Sequence, residues 1–440
     1  MTSQPSASSS ATRFCLFLYG LSNHLLDWGL SVRKNGVTRC WSWLVVVWVS
    51  CLGLSVGWCQ IDPVRREMLQ FGYNAALEGH APLSAYAFYY DNVPDFLKTN
   101  LTLRLAVAPT YLDSELGFKG LLGENTDLGV GVAGGGFADS YNEIRHGTYL
   151  QSESFDGYDG EVNVSLYHLF NPGQMIPLNG LLRGIVHYSA FDPTDQTAPS
   201  FQVPDNMTSF RVRSGLRWGG REPTLFPSLA MELSVWYQGE FRTEDDIYGF
   251  GDRRIQSHTH LFWAEAFLAY TLPKIKHTFS VNLTAGTSMD ADRLSAYRLG
   301  GFLPMVAEFP LSLPGYYYQE LTARNFVLMS GNYIFPLDKN KRWNLTATAA
   351  TAFVDYLPGL EQTGNWNSGV SGGLFYTSPT WRVMVGYGYG FDAIRSSGRG
   401  AQSIGLLLQI DLSPAREAFF KPEQPGPWRG LQRLFDVFGS

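Results

Sequence analysis

Short segments in which apolar and polar residues alternate recur from residue 84 to residue 412 of this chain. The clearest runs from Trp381 to Asp392, where aromatic or aliphatic residues occupy the odd positions and Arg, Met, Gly or Asp occupy the even positions. A period of two places the two sets on opposite faces of a β-strand. One face is therefore apolar and the other polar or nearly bare, which is typical of a strand between lipid and an aqueous lumen.

The same alternation recurs in other segments, such as residues 210–218, 278–286 and 403–412. We count about 16 segments, and most are close to the 9 to 11 residues with which a tilted strand crosses a bilayer. An even number suits a closed antiparallel barrel, although a soluble β-sandwich would alternate in the same way. The sequence therefore predicts an all-β fold, a transmembrane antiparallel β-barrel of about 16 strands. The predicted strands are residues 84–92, 98–110, 113–122, 126–137, 157–169, 179–191, 206–218, 228–241, 257–272, 276–287, 293–301, 324–336, 343–355, 368–378, 380–391 and 401–412.

The chain divides into four predicted parts. Residues 1–59 are interpreted as a leader and signal peptide, because an apolar stretch at 43–56 follows basic residues and small residues allow cleavage after Gly57. Residues 60–83 are expected to form a periplasmic lead-in with one or two helical turns, and residues 84–412 the barrel. Residues 413–440 form a tail with two alternative interpretations: an amphipathic helix on a membrane surface or against the barrel, or a frayed segment with one or two helical turns.

Composition excludes several classes of function. The net charge is −6, and no Lys/Arg cluster is present, so a nucleic-acid partner is not expected. All four cysteines lie in the first 59 residues, so the barrel is expected to contain no disulfide bond. No cofactor is predicted. The expected surroundings are outer-membrane lipid and the expected location is the outer membrane of a bacterial cell.

The polar faces of two predicted strands supply candidate lumen-facing charges. Arg211, Arg213 and Arg217 share one face of one strand, and Arg382 and Asp392 share one face of another. Rings of positive side chains inside a pore favour anions. These residues therefore support, as an alternative function, a passive diffusion channel that prefers anions.

Motifs for chemistry are weak. Residues 129–134 match G-x-G-x-x-G but continue an alternating strand, whereas the dinucleotide fingerprint needs a strand-to-helix turn. His258 and His260 share a strand face without an obvious third ligand, so no metal site is predicted. No G-x-S-x-G motif is present, and no catalytic residue is assigned. The chain is therefore not expected to be an enzyme, and a barrel-borne hydrolase with Ser and His on adjacent strands is the least favoured alternative.

One region carries a more specific pattern. A predicted strand ends in Leu299-Gly300-Gly301, a long loop follows with Leu313-Pro314-Gly315-Tyr316 and Glu320, and the next strand ends in residues 332–337, Asn-Tyr-Ile-Phe-Pro-Leu. This pattern resembles the BamA/TamA superfamily, also called bacterial surface antigen barrels. In that family a Leu-Gly-Gly strand end precedes a loop with a Val-Arg-Gly-Phe/Tyr motif. The resemblance covers mainly residues 290–412 and implies that the loop, between strands 11 and 12, folds into or over the lumen.

The chain departs from the family pattern at two points. Pro314 stands where the family has the loop arginine, so we expect the lumenal ion pair to be absent or moved, with Glu320 or a lumenal arginine such as Arg382 in its place. The segment before residue 84 is too short for the periplasmic POTRA domains of the family. We therefore expect a barrel without POTRA domains and a separate periplasmic partner.

The resemblance implies a role in the assembly, insertion or transport of client polypeptides at the outer membrane. In this mechanism a seam between the first predicted strand, residues 84–92, and the last, residues 401–412, opens. The free strand edge then templates an incoming strand. Neither the client nor the solute of the alternative channel can be named from the sequence.

Overall fold

The computed structural model describes residues 61, 64–174, 176–220, 227, 229–272, 274–302 and 309–412. The leader expected at 1–59 and the tail expected at 413–440 lie outside the described residues. The described residues contain no helix with the length and hydropathy of a membrane span.

Sixteen antiparallel strands form one closed barrel, which confirms the predicted fold class. Each strand pairs with its neighbours along the chain, and the last pairs with the first over nine residue pairs. The strands, numbered here β1 to β16, are Arg66–Ala76, Ala85–Pro94, Leu101–Val107, Tyr111–Phe118, Thr126–Gly135, Phe155–Leu169, Leu178–Pro193, Met207–Gly220, Leu229–Arg242, His258–Thr271, Thr278–Met289, Leu321–Pro336, Trp343–Tyr356, Trp366–Thr377, Trp381–Arg395 and Gly398–Asp411.

The alternation in the sequence corresponds to the two faces of the barrel. On β15, Val385 and Tyr387 are exposed on the outer surface, whereas Gly386 and Gly388 are buried on the inner one. Large apolar side chains on most other strands are likewise about half exposed and form an outer belt. Such a belt would be unstable in water and suits contact with lipid.

The first strand corrects one prediction. Residues 60–83 were expected to form a helical lead-in, but Arg66–Ala76 is β1. In β1, Phe71 and Tyr73 point outwards while Gly72 and Asn74 point inwards, so the period is two and not that of a helix. The seam of the barrel therefore lies between β1 and β16, and residues 84–92 belong to the second strand.

One predicted strand is largely absent. Of residues 293–301, only Tyr297–Leu299 is extended, and it pairs with the start of β12. The carboxylate of Asp292 accepts hydrogen bonds from the backbone amides of Leu294 and Ser295, and this turn prevents a full strand. The structure thus lacks one predicted strand and has one strand, β1, that was not predicted. The predicted total of 16 strands is therefore correct.

The connections at the two ends of the barrel differ in length. The long ones, residues 136–154, 194–206, 243–257 and 290–320, all lie at one end. The opposite end has shorter turns, such as 119–125 and 337–342. Outer-membrane barrels carry long loops on the extracellular side, so the end with the long loops is called the extracellular end here. We call residues 299–302 and 309–320 the lumenal loop.

Candidate functional site

The lumenal loop turns back on itself directly after the short strand. The backbone amide of Gly300 donates to Leu311, and Leu313 donates to Gly301, both at 2.9 Å. Gly300 has φ +135°, and a Cβ there would lie 2.2 Å from the carbonyl oxygen of Tyr317. The glycines of the predicted Leu299-Gly300-Gly301 strand end thus allow two backbone segments to approach closely.

The tip of the loop lies against the inner wall. Gly315 has φ +85°, and a Cβ there would lie 1.8 Å from the backbone nitrogen of Gly390 on β15. A Cβ on Gly369 of β14 would lie 2.2 Å from the carbonyl oxygen of Pro314. Wall glycines therefore form the surface on which the tip packs, and the loop lies inside the lumen.

Apolar contacts also hold the loop. Leu313 is 0% and Tyr316 1% exposed, and both belong to a buried cluster with side chains of β12, β13, β15 and β16. Burial, together with the nearby Asp392 and Glu320 carboxylates, raises the pKa of Tyr316 well above its usual range, so its hydroxyl stays neutral. That hydroxyl lies 3.3 Å from Oδ1 of Asn367, to which it donates.

A buried ion pair joins the loop to the wall. Arg395 on β15 donates from its two terminal nitrogens to the two carboxylate oxygens of Glu320, at 2.8 and 2.9 Å. Both side chains are 1% exposed. The same guanidinium lies 3.7 Å from the ring centroid of Tyr317, whose backbone amide donates to Glu320. The loop residue Glu320 therefore has a partner, and it is Arg395.

A bulge in β15 explains why the sequence did not indicate Arg395. The pairing of β15 with β16 shifts between Gly390 and Ile394. Even-numbered residues face inwards before the shift, whereas Ala393 and Arg395 are the buried ones after it. Arg382, proposed from simple alternation as a replacement, lies before the bulge and is not the residue that pairs with Glu320.

Asp392 lies within the bulge itself. Its carboxylate accepts a hydrogen bond from the backbone amide of Ser368 at 2.8 Å and pairs with the exposed Arg399. Asp392 thus connects β14, β15 and β16. Alternation alone had predicted that it faces the open lumen.

The three arginines of β8 lie on its inner face, beside acceptors of β9. The Nε atom of Arg211 lies 3.1 Å from a carboxylate oxygen of Glu240. The Nε atom of Arg217 lies 3.0 Å from Glu232, and Arg213 donates to a glutamine oxygen at 2.8 Å. The positive charges of Arg211 and Arg217 are therefore balanced by carboxylates of the neighbouring strand, whereas the acceptor beside Arg213 is the neutral amide of Gln238.

The loop tip also contacts both sides of the seam. The backbone amide of Gly315 donates to the hydroxyl of Ser403 on β16, at 3.3 Å. The hydroxyl of Tyr317 donates to the carbonyl of Glu78, two residues after β1, at 3.0 Å. The Glu78 carboxylate in turn accepts from Gln402 of β16 at 2.7 Å. Three consecutive loop residues, 315–317, thus span the closure of the barrel.

The extracellular loops interlock around Glu143, which is 0% exposed. Its carboxylate lies 3.2 Å from Arg145, 3.5 Å from Arg253 and 3.4 Å from Arg293. These arginines come from three different loops, residues 136–154, 243–257 and 290–320. Apolar residues of the same region form a second buried cluster: Tyr141, Phe155, Phe191, Phe201, Met207, Tyr248 and Ile255.

Histidines take part in polar networks. His187 of β7 lies 2.9 Å from Asp139 in the loop 136–154 and 4.0 Å from Asp159. Sequence spacing could not reveal this group, because its members come from one loop and two strands. Of the pair considered as metal ligands, His258 faces Asp290 at 3.6 Å and His260 contacts a tyrosine hydroxyl.

Comparisons with known proteins agree with this architecture. No protein-family profile matches the chain. No curated protein matches it. Among solved structures it is similar to CdiB from Acinetobacter baumannii, with 11% identity over 79% of this chain and 60% of that one and a TM-score of 0.51. CdiB from Escherichia coli is 12% identical over 79% of this chain and 63% of that one, with a TM-score of 0.51.

A third similar structure is BamA from Haemophilus ducreyi lacking POTRA domains 1–3. It is 11% identical over 78% of this chain and 70% of that one, with a TM-score of 0.50. The chain thus spans 60% to 70% of the length of these proteins. Identities this low are evidence for the fold alone. The described residues have the outer-membrane barrel fold that CdiB and BamA share.

Proposed function

We propose that this barrel inserts or translocates client polypeptides at the bacterial outer membrane, by opening the seam between β1 and β16. In this proposal the lumenal loop holds the seam closed. A separate periplasmic protein delivers the client. This is the role that the resemblance of residues 290–412 to the BamA/TamA superfamily implies.

The observation that carries the proposal is the position of the loop tip. Gly315 is bonded to Ser403 on one side of the seam, and Tyr317 to Glu78 on the other. The Glu320–Arg395 ion pair holds the same tip on the wall. A movement of the loop therefore acts directly on the strand pair whose opening would expose unpaired backbone groups.

An open seam offers a template for another strand. The register partners of β1 and β16 run from Met68 with Asp411 to Ala76 with Ser403. Separating them frees backbone amides and carbonyls along both edges, and an extended polypeptide can pair with such an edge. Outward residues beside the edge, such as Phe71 and Ile404, would face lipid during this exchange.

The channel alternative has less support. Barrels of 16 strands can enclose an aqueous pore, but here the lumenal loop occupies part of the lumen. The arginines expected to select anions lie beside carboxylates or amide oxygens of the next strand. The positive charges of Arg211 and Arg217 are therefore paired with carboxylates within the wall.

Locking the seam tests the proposal. Tyr73 and Leu406 are register partners on the outer face of β1 and β16. Paired Cα atoms in antiparallel strands lie about 4.5–5.5 Å apart, which permits a disulfide bond. We expect the double variant Tyr73→Cys/Leu406→Cys, once oxidised, to abolish crosslinking of a photoreactive residue at position 71 to newly synthesised outer-membrane proteins. Reduction should restore it.

The matched control is a lock elsewhere in the wall. Leu283 and Met329 are register partners on the outer faces of β11 and β12. Leu283→Cys/Met329→Cys should leave the crosslinks intact. Equal crosslinking in the oxidised and reduced seam variant, or no crosslinks to any nascent outer-membrane protein, would refute the proposal. A separate periplasmic partner would be detected by crosslinks from photoreactive residues placed in the turns at the short-loop end.

A further inference from the structure

A cavity of about 330 Å³ lies between the lumenal loop and the wall at the extracellular end. Four arginines and two carboxylates contribute charge to its lining: Arg211, Arg242, Arg293, Arg298, Asp139 and Glu240. We propose that this cavity is a binding site for an oxyanion group, of which a phosphate is the type case. The inference does not depend on the function proposed above.

Two of the arginines have strong partners within the wall. Arg242 donates to Glu240 and also pairs with Asp292, and Arg211 donates to Glu240. The positive charges of these two side chains are therefore nearly balanced by the carboxylates of Glu240 and Asp292. The binding capacity of the cavity comes from the other two arginines, which belong to the loop of residues 290–320.

Arg298 is the cation that lacks a carboxylate partner among the described residues. One terminal nitrogen donates to the backbone carbonyl of Asn142 at 2.6 Å, and the guanidinium lies 4.9 Å from the ring centroid of Tyr141. Its Nε atom is buried and has no acceptor among the described residues. A buried donor of this kind costs free energy unless an acceptor occupies the site.

Arg293 supplies the second cation. Its only ion pair among the described residues is with Glu143, where Nε lies 3.4 Å from the carboxylate, and Glu143 is shared with Arg145 and Arg253. The side chain is 16% exposed, so it is accessible from the cavity. Two guanidinium groups with unused donors thus line the same cavity.

The chemistry of these donors selects the ligand class. A guanidinium presents parallel N–H groups that match two oxygens of a phosphate or carboxylate. The positive excess of the lining repels metal cations, and the partial burial of the site strengthens the attraction for an anion relative to bulk water. At roughly 30 Å³ per water molecule, the cavity has room for a phosphate with a small organic substituent.

Calorimetric titration of inorganic phosphate into the full chain, refolded in neutral detergent, tests this site. Sodium chloride at equal ionic strength serves as the reference titration. We expect saturable binding by the native protein and at least tenfold weaker binding by Arg298→Gln, since hydrogen bonds to charged groups contribute a factor of this size or more. Heat-modifiable migration in gels verifies that each variant is folded.

Arg324→Gln is the matched control, because Arg324 is half exposed, pairs with Asp355 and does not line the cavity. It should bind phosphate as the native protein does. If Arg298→Gln fails to fold, Arg293→Gln must show the same weakening. No saturable heat beyond that of chloride, or equal binding by Arg298→Gln and Arg324→Gln, would overturn the proposal.

A second arm distinguishes the source of the oxyanion. The same titration is repeated with micelles containing a phosphorylated lipid in place of inorganic phosphate. Binding of phosphate alone assigns a soluble ligand, whereas binding of the lipid that also depends on Arg298 assigns a headgroup that reaches the extracellular end. Both results support the site. Failure of both phosphate sources refutes it, without bearing on the seam.

Discussion

Glu320 and Arg395 meet as a bidentate, fully buried ion pair, with the carboxylate on the lumenal loop and the guanidinium on the barrel wall. In the BamA/TamA pattern that the sequence resembles, the arginine belongs to the loop motif, at the position of Pro314. In this chain the loop supplies the carboxylate and the wall supplies the guanidinium. Their attraction holds the loop on the wall, although neither residue occupies the motif position.

Removing one partner of this pair should release the loop. In Glu320→Gln the Arg395 guanidinium stays buried without a counter-charge, which typically costs about 3–5 kcal/mol. We expect a lower urea midpoint, followed by tryptophan fluorescence, and faster proteolysis of residues 309–320. The exposed pair Arg324–Asp355 provides the control, since Asp355→Asn should change stability by less than about 1 kcal/mol.

Exchanging the two charges provides a stricter test. Glu320→Arg combined with Arg395→Glu restores one cation and one anion at the same two positions, in reversed order. We expect the double variant to be more stable than either single variant, with a positive coupling in a double-mutant cycle. Additive losses would show that the pair contributes through packing rather than through charge.

Gly315 should tolerate no side chain. Its φ is +85°, and a Cβ would lie 1.8 Å from the Gly390 backbone nitrogen, so Gly315→Ala must displace the loop tip from the wall. Gly251 is a matched control, because its φ is +81° but nothing lies within 4 Å of a Cβ. We expect Gly315→Ala to lower the unfolding free energy by at least 1 kcal/mol more than Gly251→Ala in urea titrations. Equal effects would mean that the tip does not pack as described.

Alternation predicted the fold and the two faces of the barrel because the period of two is a local property of the chain. Val385 and Gly386, adjacent in sequence, lie on opposite faces as expected. The same rule failed at Arg395, because a single bulge reverses the faces and leaves no signal in composition. It failed at β1 because charged residues at its start suggested a helix.

The candidate site was only partly predictable. The glycines and tyrosines at 299–301 and 313–316 were indicated by a resemblance, and they lie in the lumenal loop. The network at Glu143 was not indicated, since Arg253 and Arg293 are more than 100 positions away from it in sequence. Such long-range pairs depend on how loops from different hairpins meet, which a single sequence does not encode locally.

The lumenal loop should limit ion flow through the barrel. Phe302 and Leu313 of the loop are buried against the inner wall, so the described loop takes up space that a 16-stranded pore would leave to water. We expect small conductance steps from the intact protein in planar bilayers and steps several times larger when residues 309–319 are replaced by a short Gly-Ser linker. A large, steady conductance of the intact protein would instead favour a passive channel.

Glu143 should hold the extracellular loops together. Its buried carboxylate faces Arg145, Arg253 and Arg293. Glu143→Gln removes the one ion-pair partner that Arg293 has among the described residues, while Arg145 and Arg253 keep only their pairs with Glu153 and, for Arg253, a longer contact with Asp252. Because such a loss costs about 3–5 kcal/mol, we expect trypsin to cleave after Arg145 and Arg253 at least ten times faster, as followed by mass spectrometry. Asp245→Asn, which breaks an exposed pair with Arg254 in the same region, should leave cleavage after Arg145 unchanged. If both variants are cleaved at the native rate, apolar packing alone holds the loops, and the buried carboxylate has no role in closing them.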